Sequence, residues 1–250
     1  MRMSKTFKKL STIIMVFAML FGVLPMLGCG LTAKASNNPV KLYAMEHTIT
    51  RYGYSSYDIY IQIEAGSAAN KTAYVHYEVT DSDEWQDAAA TFFTKIDDNT
   101  EIWKATVSGW GLGDEYAIKY VGDNNTYWDN NNGNNYTYSD YLGEANIKSM
   151  RLTYQPSQYY KVQAAVKNLA YTKAVKVKYT EDNWATYHEI PLSYESAISG
   201  TNSEIWSVTL NLDPDKRDSF EYCLCYQVNN QTYWDNNFGA NYDGTYYRPY

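Results

Sequence analysis

From residue 40 onward the chain is written in short runs of Tyr, Val and Ile that alternate with polar residues, and no stretch carries a convincing helical period. Alternation with period two is the mark of a strand that buries one face. The clearest series lies in the second half, at 147–154, 160–167, 174–180, 188–194, 205–212 and 220–228. Turn-forming clusters separate these runs: TEDN, SGTNS, DPDKRD and VNNQ. Short strands punctuated about every 8–12 residues predict an all-β fold built as antiparallel sandwiches.

The pattern is written twice. TYWDNNNGNNY at 126–136 returns as TYWDNNFGANY at 232–242, EIW at 101–103 returns at 204–206, and VHYEVTDSDEW ending at Trp85 matches VKVKYTEDNW ending at Trp184. The offsets are 99, 103 and 106 residues, so the two halves differ by small insertions. Six of the seven tryptophans fall into pairs, and Trp110 alone has no counterpart. The expected organisation is a leader at 1–35, one copy at 40–142 and a second at 146–250. Each copy is long enough to fold by itself. The connection from Leu142 to Asn146 spans no more than about 15 Å, which predicts sites at a set spacing.

Residues 1–35 read as an export signal. Arg2, Lys5, Lys8 and Lys9 precede an apolar run at 10–27, and Ala33-Lys34-Ala35 supplies a small-residue cleavage pattern. A membrane anchor and lipidation at Cys29 are the rival readings; the order of features favours cleavage after Ala35 and a secreted protein. This leader holds five of the 21 basic residues and none of the 28 acidic ones, so the rest is more acidic than the whole chain's net −7. That sign excludes nucleic acid and anionic membrane as natural partners. Beyond the leader only Cys223 and Cys225 remain. On a strand they share a face without converging, so they read as two small apolar residues and imply no disulfide.

Familiar catalytic and metal-binding patterns are missing. His47, His76 and His188 show no ligand spacing, and no phosphate loop or nucleophile elbow occurs. DNNNGNNYTYSD fails as a calcium loop, because Gly133 stands at position 5 and Tyr246 replaces the final acid in the second copy. No enzyme activity, cofactor or metal is expected. The surplus lies elsewhere, in 27 Tyr, 7 Trp and 7 Phe within an acidic chain. Trp103 and Trp206 sit in alternating strands and read as core. Trp85 and Trp184 follow acidic turns, while Trp128 and Trp234 stand beside Asp-Asn-Asn in what reads as an exposed loop. An exposed indole near amides suits a pyranose, whose C–H face stacks and whose hydroxyl rim pairs with Asn. One such contact is worth about 2.5 kcal/mol, so a single site is weak and two linked sites gain by avidity. Asp129 and Asp235 fit either ligand contact or loop shaping.

The strings NLAYTKAVKVKYTEDNW, SAISGTNSEIW and YQVNNQTYWDNNFGANY resemble the family 21 carbohydrate-binding modules across nearly all of the second copy. The first copy matches through Trp85, Glu101–Trp103 and YWDNN. The resemblance implies two tandem immunoglobulin-like antiparallel β-sandwiches that bind α-1,4-glucan at surface sites. One site matches Trp184, Trp234 and Asn236, with Trp85, Trp128 and Asn130 in the first copy. A further aromatic of that site aligns with Cys223 and Ala117, where both copies depart from the family. A second site matches Asn168, Tyr171, Lys173, Glu204 and Asn241. The first copy keeps only Glu101 and Asn135 of these, which predicts one site there. The expected protein is therefore a secreted, non-catalytic binder of starch, glycogen or maltodextrin. It would act beside a secreted amylase or a cell-surface component. An adhesin for other glycans is the alternative. No basic-x-hydrophobic-x-aromatic docking motif is found, so no phosphatase partner is expected.

Overall fold

The computed structural model describes residues 38–49, 55–80, 82, 84–108, 112–154 and 159–243. The expected leader with Cys29, and likewise Trp110 and Tyr246, lie outside the described residues. Among those residues the regular structure is strand, with three short 3-10 turns.

The first half runs β1 (Val40–Ile49), β2 (Ser55–Glu64), β3 (Lys71–Val79), β4 (Trp85–Asp97), β5 (Thr100–Ser108), β6 (Leu112–Gly122) and β7 (Asn125–Asp129). Their pairing order is β1-β2-β5-β4-β3-β6-β7. The 13-residue β4 joins two layers: Trp85 to Ala90 pair with β3, and Thr91 to Asp97 pair with β5. The second half runs β8 (Ile147–Tyr154), β9 (Tyr159–Lys167), β10 (Lys173–Thr180), β11 (His188–Pro191), β12 (Ser193–Ile198), β13 (Ser203–Asn211), β14 (Glu221–Val228), β15 (Gln231–Asp235) and β16 (Tyr242–Asp243). Here β11-β10-β14-β15 form one sheet, with β16 on β14, and β12-β13-β9-β8 form the other. The expected strand at 188–194 is split. Pro191 has no N–H for a ladder, and Leu192 turns its N–H to the Val175 carbonyl, so the chain changes sheet there.

Each half encloses its own core. Ile59, Ile61, Val75, Ile118, Tyr116 and Tyr120 meet in the first, and Val162, Val175, Val177, Leu224, Tyr222 and Tyr226 in the second. In each cluster the side chains come from both layers, which is how period-two strands bury one face apiece. The large tyrosines 116, 120, 222 and 226 supply much of the filling, so part of the aromatic surplus is structural.

The described residues make one compact unit, because the two halves pack on each other. Phe238, from the loop after β15, lies 5.0 Å from the ring of Tyr60, 5.3 Å from Phe93 and 5.7 Å from Tyr43. Beside it the buried Lys148 donates to the Tyr242 hydroxyl at 2.6 Å and pairs with Glu46 at 3.4 Å. The connection itself is stitched to β1: Gly143 and Ala145 donate to the Tyr43 carbonyl, and Glu144 donates to that of Leu42. Gly143 passes so close that a Cβ there would run into the Leu42 carbonyl.

Candidate functional site: paired aromatic platforms and clefts

Two-residue turns with φ above zero at both positions, Asp123-Asn124 and Asn229-Asn230, reverse the chain into β7 and β15. Asn and Asp tolerate that region, and such turns match the twist of a hairpin. Trp128 and Trp234 are therefore the penultimate residues of edge strands, not loop residues as their neighbours implied. They are 43% and 52% exposed. The DNN segment that follows is a rigid turn. Asn130 caps it by accepting the Gly133 N–H at 3.1 Å, and Asn236 does the same for Gly239 at 3.0 Å. Each cap thus uses the amide oxygen and presents its NH2 as a donor to whatever lies beside the indole.

The aspartates are structural. Asp129 accepts from the Leu42 N–H and the Tyr136 hydroxyl, both at 2.7 Å. Asp235 accepts from the Ser149 N–H at 2.5 Å and from the Tyr242 hydroxyl. Each pins the opening strand of its half to the platform end, and Asp235 is 9% exposed.

In the second half Trp184 and Trp234 flank one sheet face. Trp234 stands opposite Cys225 on β14, and Trp184 donates from Nε1 to Glu221, on the same face of β14, at 2.6 Å. Four residues of strand separate these anchors by about 13 Å. Cys223 lies between them, buried, and burial pushes its thiol up to about 11. Asn241 belongs here too, because its Nδ2 donates to Glu221 at 3.0 Å. Its expected grouping with Lys173 and Glu204 is corrected accordingly. In the first half Asn135 holds Glu115 in the same way at 2.8 Å.

The other expected site is a cleft of about 680 Å³ that contains Asn168, Tyr171, Lys173 and Glu204. Lys173 donates to Asn168 at 2.6 Å and to Glu204 at 2.7 Å, and Tyr171 is fully exposed at the mouth. Two further walls were missed from sequence. Trp206, expected in the core, donates from Nε1 to Glu204 at 2.9 Å, and Tyr194 meets its ring edge-on at 6.1 Å. The first half, expected to hold one site, has a cleft of about 800 Å³ with the same arrangement. Lys71 and Trp103 each donate to Glu101 at 3.0 Å, and Phe92 meets Trp103 edge-on at 6.4 Å. Burial pushes the Glu101 carboxyl up, but the indole and the ammonium outweigh it and hold it below the ordinary value. The sequence did carry the signal: Lys71 opens β3 30 residues before Glu101, and Lys173 opens β10 31 residues before Glu204. Among the described residues, no three His, Cys, Asp or Glu side chains gather as a metal would require.

Comparison with known proteins bears on one half of this picture. The profile of the family described as carbohydrate/starch-binding module (family 21) matches residues 144–244. Protein phosphatase 1 regulatory subunit 3B of Bos taurus is 40% identical over 81 residues, 31% of this chain and 28% of that one. Glucoamylase 1 of Rhizopus oryzae is 39% identical over 87 residues, 34% of this chain and 14% of that one. The chain thus spans less than a third of these relatives' length. A solved starch-binding domain of Rhizopus oryzae glucoamylase, in complex with β-cyclodextrin and maltoheptaose, aligns over 40% of this chain and 92% of its own. Its identity is 28% and its TM-score 0.33. The carbohydrate-binding module of the muscle glycogen-targeting subunit of Protein Phosphatase-1 aligns over 41% and 78%, with 25% identity and a TM-score of 0.36. Residues 144–244 are a starch/glycogen-binding module of family 21. The expectation of no phosphatase partner is overturned, since the relatives include Protein phosphatase 1 regulatory subunit 3B of Bos taurus and Rattus norvegicus.

Proposed function

We propose that the whole chain is a non-catalytic α-glucan-binding protein whose first half is a second copy of the module at 144–244. In this reading each half is an immunoglobulin-like sandwich. The platforms are Trp85, Trp128 and Asn130 in one half and Trp184, Trp234 and Asn236 in the other. The clefts are built on Lys71 and Glu101, and on Asn168, Tyr171, Lys173 and Glu204. Support for the tandem reading comes from the recurring strand order and from matching Lys–Glu–Trp distances. Support for a binding role comes from the carboxylates of the clefts, Glu101 and Glu204, each held by a lysine and an indole. Glycoside hydrolysis instead needs two carboxyl groups free to trade a proton across a bond.

The observation that carries the function is Trp234, half exposed beside a capped Asn236 amide within the segment matched to a starch-binding family. The test is depletion of the protein from solution by granular starch, with cellulose as control. Starch removes the wild-type protein, cellulose does not, and Trp184→Ala/Trp234→Ala weakens removal. Equal depletion by cellulose, or none by starch, sinks the reading.

A second reading concerns the partner. The names of the relatives favour attachment of a protein phosphatase 1 catalytic subunit to the glucan-bound chain. The export-like order of residues 1–35 favours an extracellular protein instead. Sequencing the N-terminus of protein from its native cell separates the two: cleavage after Ala35 supports export, whereas a retained leader and phosphatase co-purification support attachment.

A further inference from the structure

The two platforms differ in what stands between their indoles. On β3, His76 lies opposite Ala117 of β6 and Asp87 of β4. The matching register in the second half puts Lys178 opposite Cys223 of β14 and Glu189 of β11. The imidazole of His76 stacks on Trp85 at 4.9 Å with 24° between planes, and stands across Trp128 at 5.2 Å and 75°. One ring therefore bridges both indoles. Lys178 makes no such bridge; its ammonium sits 3.7 Å over the ring of Tyr187.

The orientation of His76 is set from one side. Its Nδ1 lies 2.6 Å from Asp87 Oδ1, and Lys119 donates to the other oxygen at 2.7 Å. Burial pushes the Asp87 carboxyl up, but Lys119 and His76 outweigh it and hold it below the ordinary value, so it accepts only. Nδ1 must then carry the hydrogen, and in the neutral ring Nε2 is left as an acceptor. Nε2 has no protein partner among the described residues, and the side chain is 30% exposed. Lys119, the other charged group facing this cluster, lies 5.8 Å over Trp128.

We propose that His76 is a ligand-contacting residue of the first-half platform, its Nε2 accepting a hydroxyl hydrogen from a glucose unit stacked on Trp128. A pyranose lying flat on an indole points its hydroxyls outward in the plane of stacking. A ring 5.2 Å away and nearly perpendicular to the indole carries its in-plane lone pair in a plane steep to that of the stacked sugar, as a rim hydroxyl requires. His76 thus supplies from β3 the ring that Ala117 does not supply from β6. The inference rests on the first half binding α-glucan, and it makes the two platforms unequal, an acceptor in one and a lysine in the other.

The test uses the full chain with Trp184→Ala/Trp234→Ala, so that the second platform is silent, and maltoheptaose as probe. Titration is followed by affinity and by the imidazole nitrogen resonances of 15N-labelled protein. His76→Phe keeps a ring and removes the acceptor, and His76→Ala removes both. Expected is a loss of affinity of about five- to tenfold in His76→Phe, the size of one hydrogen bond, a larger loss in His76→Ala, and a shift of His76 Nε2 on binding. If Trp85→Ala/Trp128→Ala abolishes binding while both His76 variants bind normally and Nε2 stays still, the role of His76 is overturned and the platform stands. If removing those two tryptophans also changes nothing, the first-half platform falls and His76 with it.

Discussion

A tryptophan at φ 66° is a costly way to place an indole. The left-handed region suits Gly and Asn, and a bulky residue enters it only where its surroundings force it. At Trp184 the force is local. Thr180 Oγ1 accepts from the Trp184 N–H at 3.0 Å and donates to Asp182 at 2.7 Å. Asp182 in turn accepts from the N–H and hydroxyl of Thr186. An Asx-type loop thus holds the indole towards Glu221. The turn composition of TEDN was legible in the sequence; the ring, expected exposed, is half-buried with its Nε1 on Glu221, and the strain was not legible, because it depends on which hydrogen bonds win. The hydroxyl and N–H of Thr186 and the hydroxyl of Thr180 lower the Asp182 carboxyl from 3.8 to about 2. A carboxyl depressed on folding contributes its stability above the unfolded value and loses it as pH falls through the folded one. The loop is therefore expected to loosen between about pH 4 and pH 2. The fluorescence attributable to Trp184, taken as wild type minus Trp184→Phe, should change across that window and be flat in Asp182→Asn. A change of equal size in Asp182→Asn would show that the cap is not the cause.

At the scale of elements, alternation located most strands of the second half within two residues, since a strand with one buried face declares itself in period two. What it could not give was the far edge of each layer. Trp103 and Trp206 obey the alternation and read as core, yet at the rim of a sandwich an inward-pointing residue also walls the neighbouring cleft. Lys71 was passed over because AANKTAY does not supply the Asn-x-x-Tyr-x-Lys spacing of the second copy, and its partner stands 30 residues away. The pair in the second cleft is deeply set, with 4% of the Lys173 side chain and 13% of the Glu204 side chain exposed. Removing one partner of such a pair strands a charge, at a cost of about 3 kcal/mol. Lys173→Met is expected to lower unfolding stability in urea by that order. In Lys173→Met/Glu204→Gln the neutral amide still accepts from Trp206, so the double variant should be more stable than Lys173→Met alone. If the double variant is the less stable of the two, the lysine and glutamate are not coupled as a pair.

Across the whole molecule, two letters separate a pair of loops that are otherwise copies, and one of the two matters. Asn132 and Phe238 occupy the same turn with φ 56° in both, but only the phenylalanine reaches across to Tyr43, Tyr60 and Phe93. The difference was plain in the sequence and had no meaning there: the short joint predicted a set spacing, but nothing marked which side chain would fix it. Phe238 is expected to make them one body and to fix the spacing of the platforms. Phe238→Asn tests this cleanly, because the first half shows the turn keeping its shape with Asn. Loss of the aromatic packing costs about 3 kcal/mol, and relief of the left-handed phenylalanine returns about 1, leaving a net loss near 2. Maltoheptaose should bind at Trp234 as before, since Asn236 and its cap are untouched. Granular starch should bind about tenfold more weakly, because a pair of sites held at a matching span outperforms a pair on a loose joint. Starch binding that survives Phe238→Asn unchanged would mean that each half engages the polymer alone, and that the packing between them serves stability only.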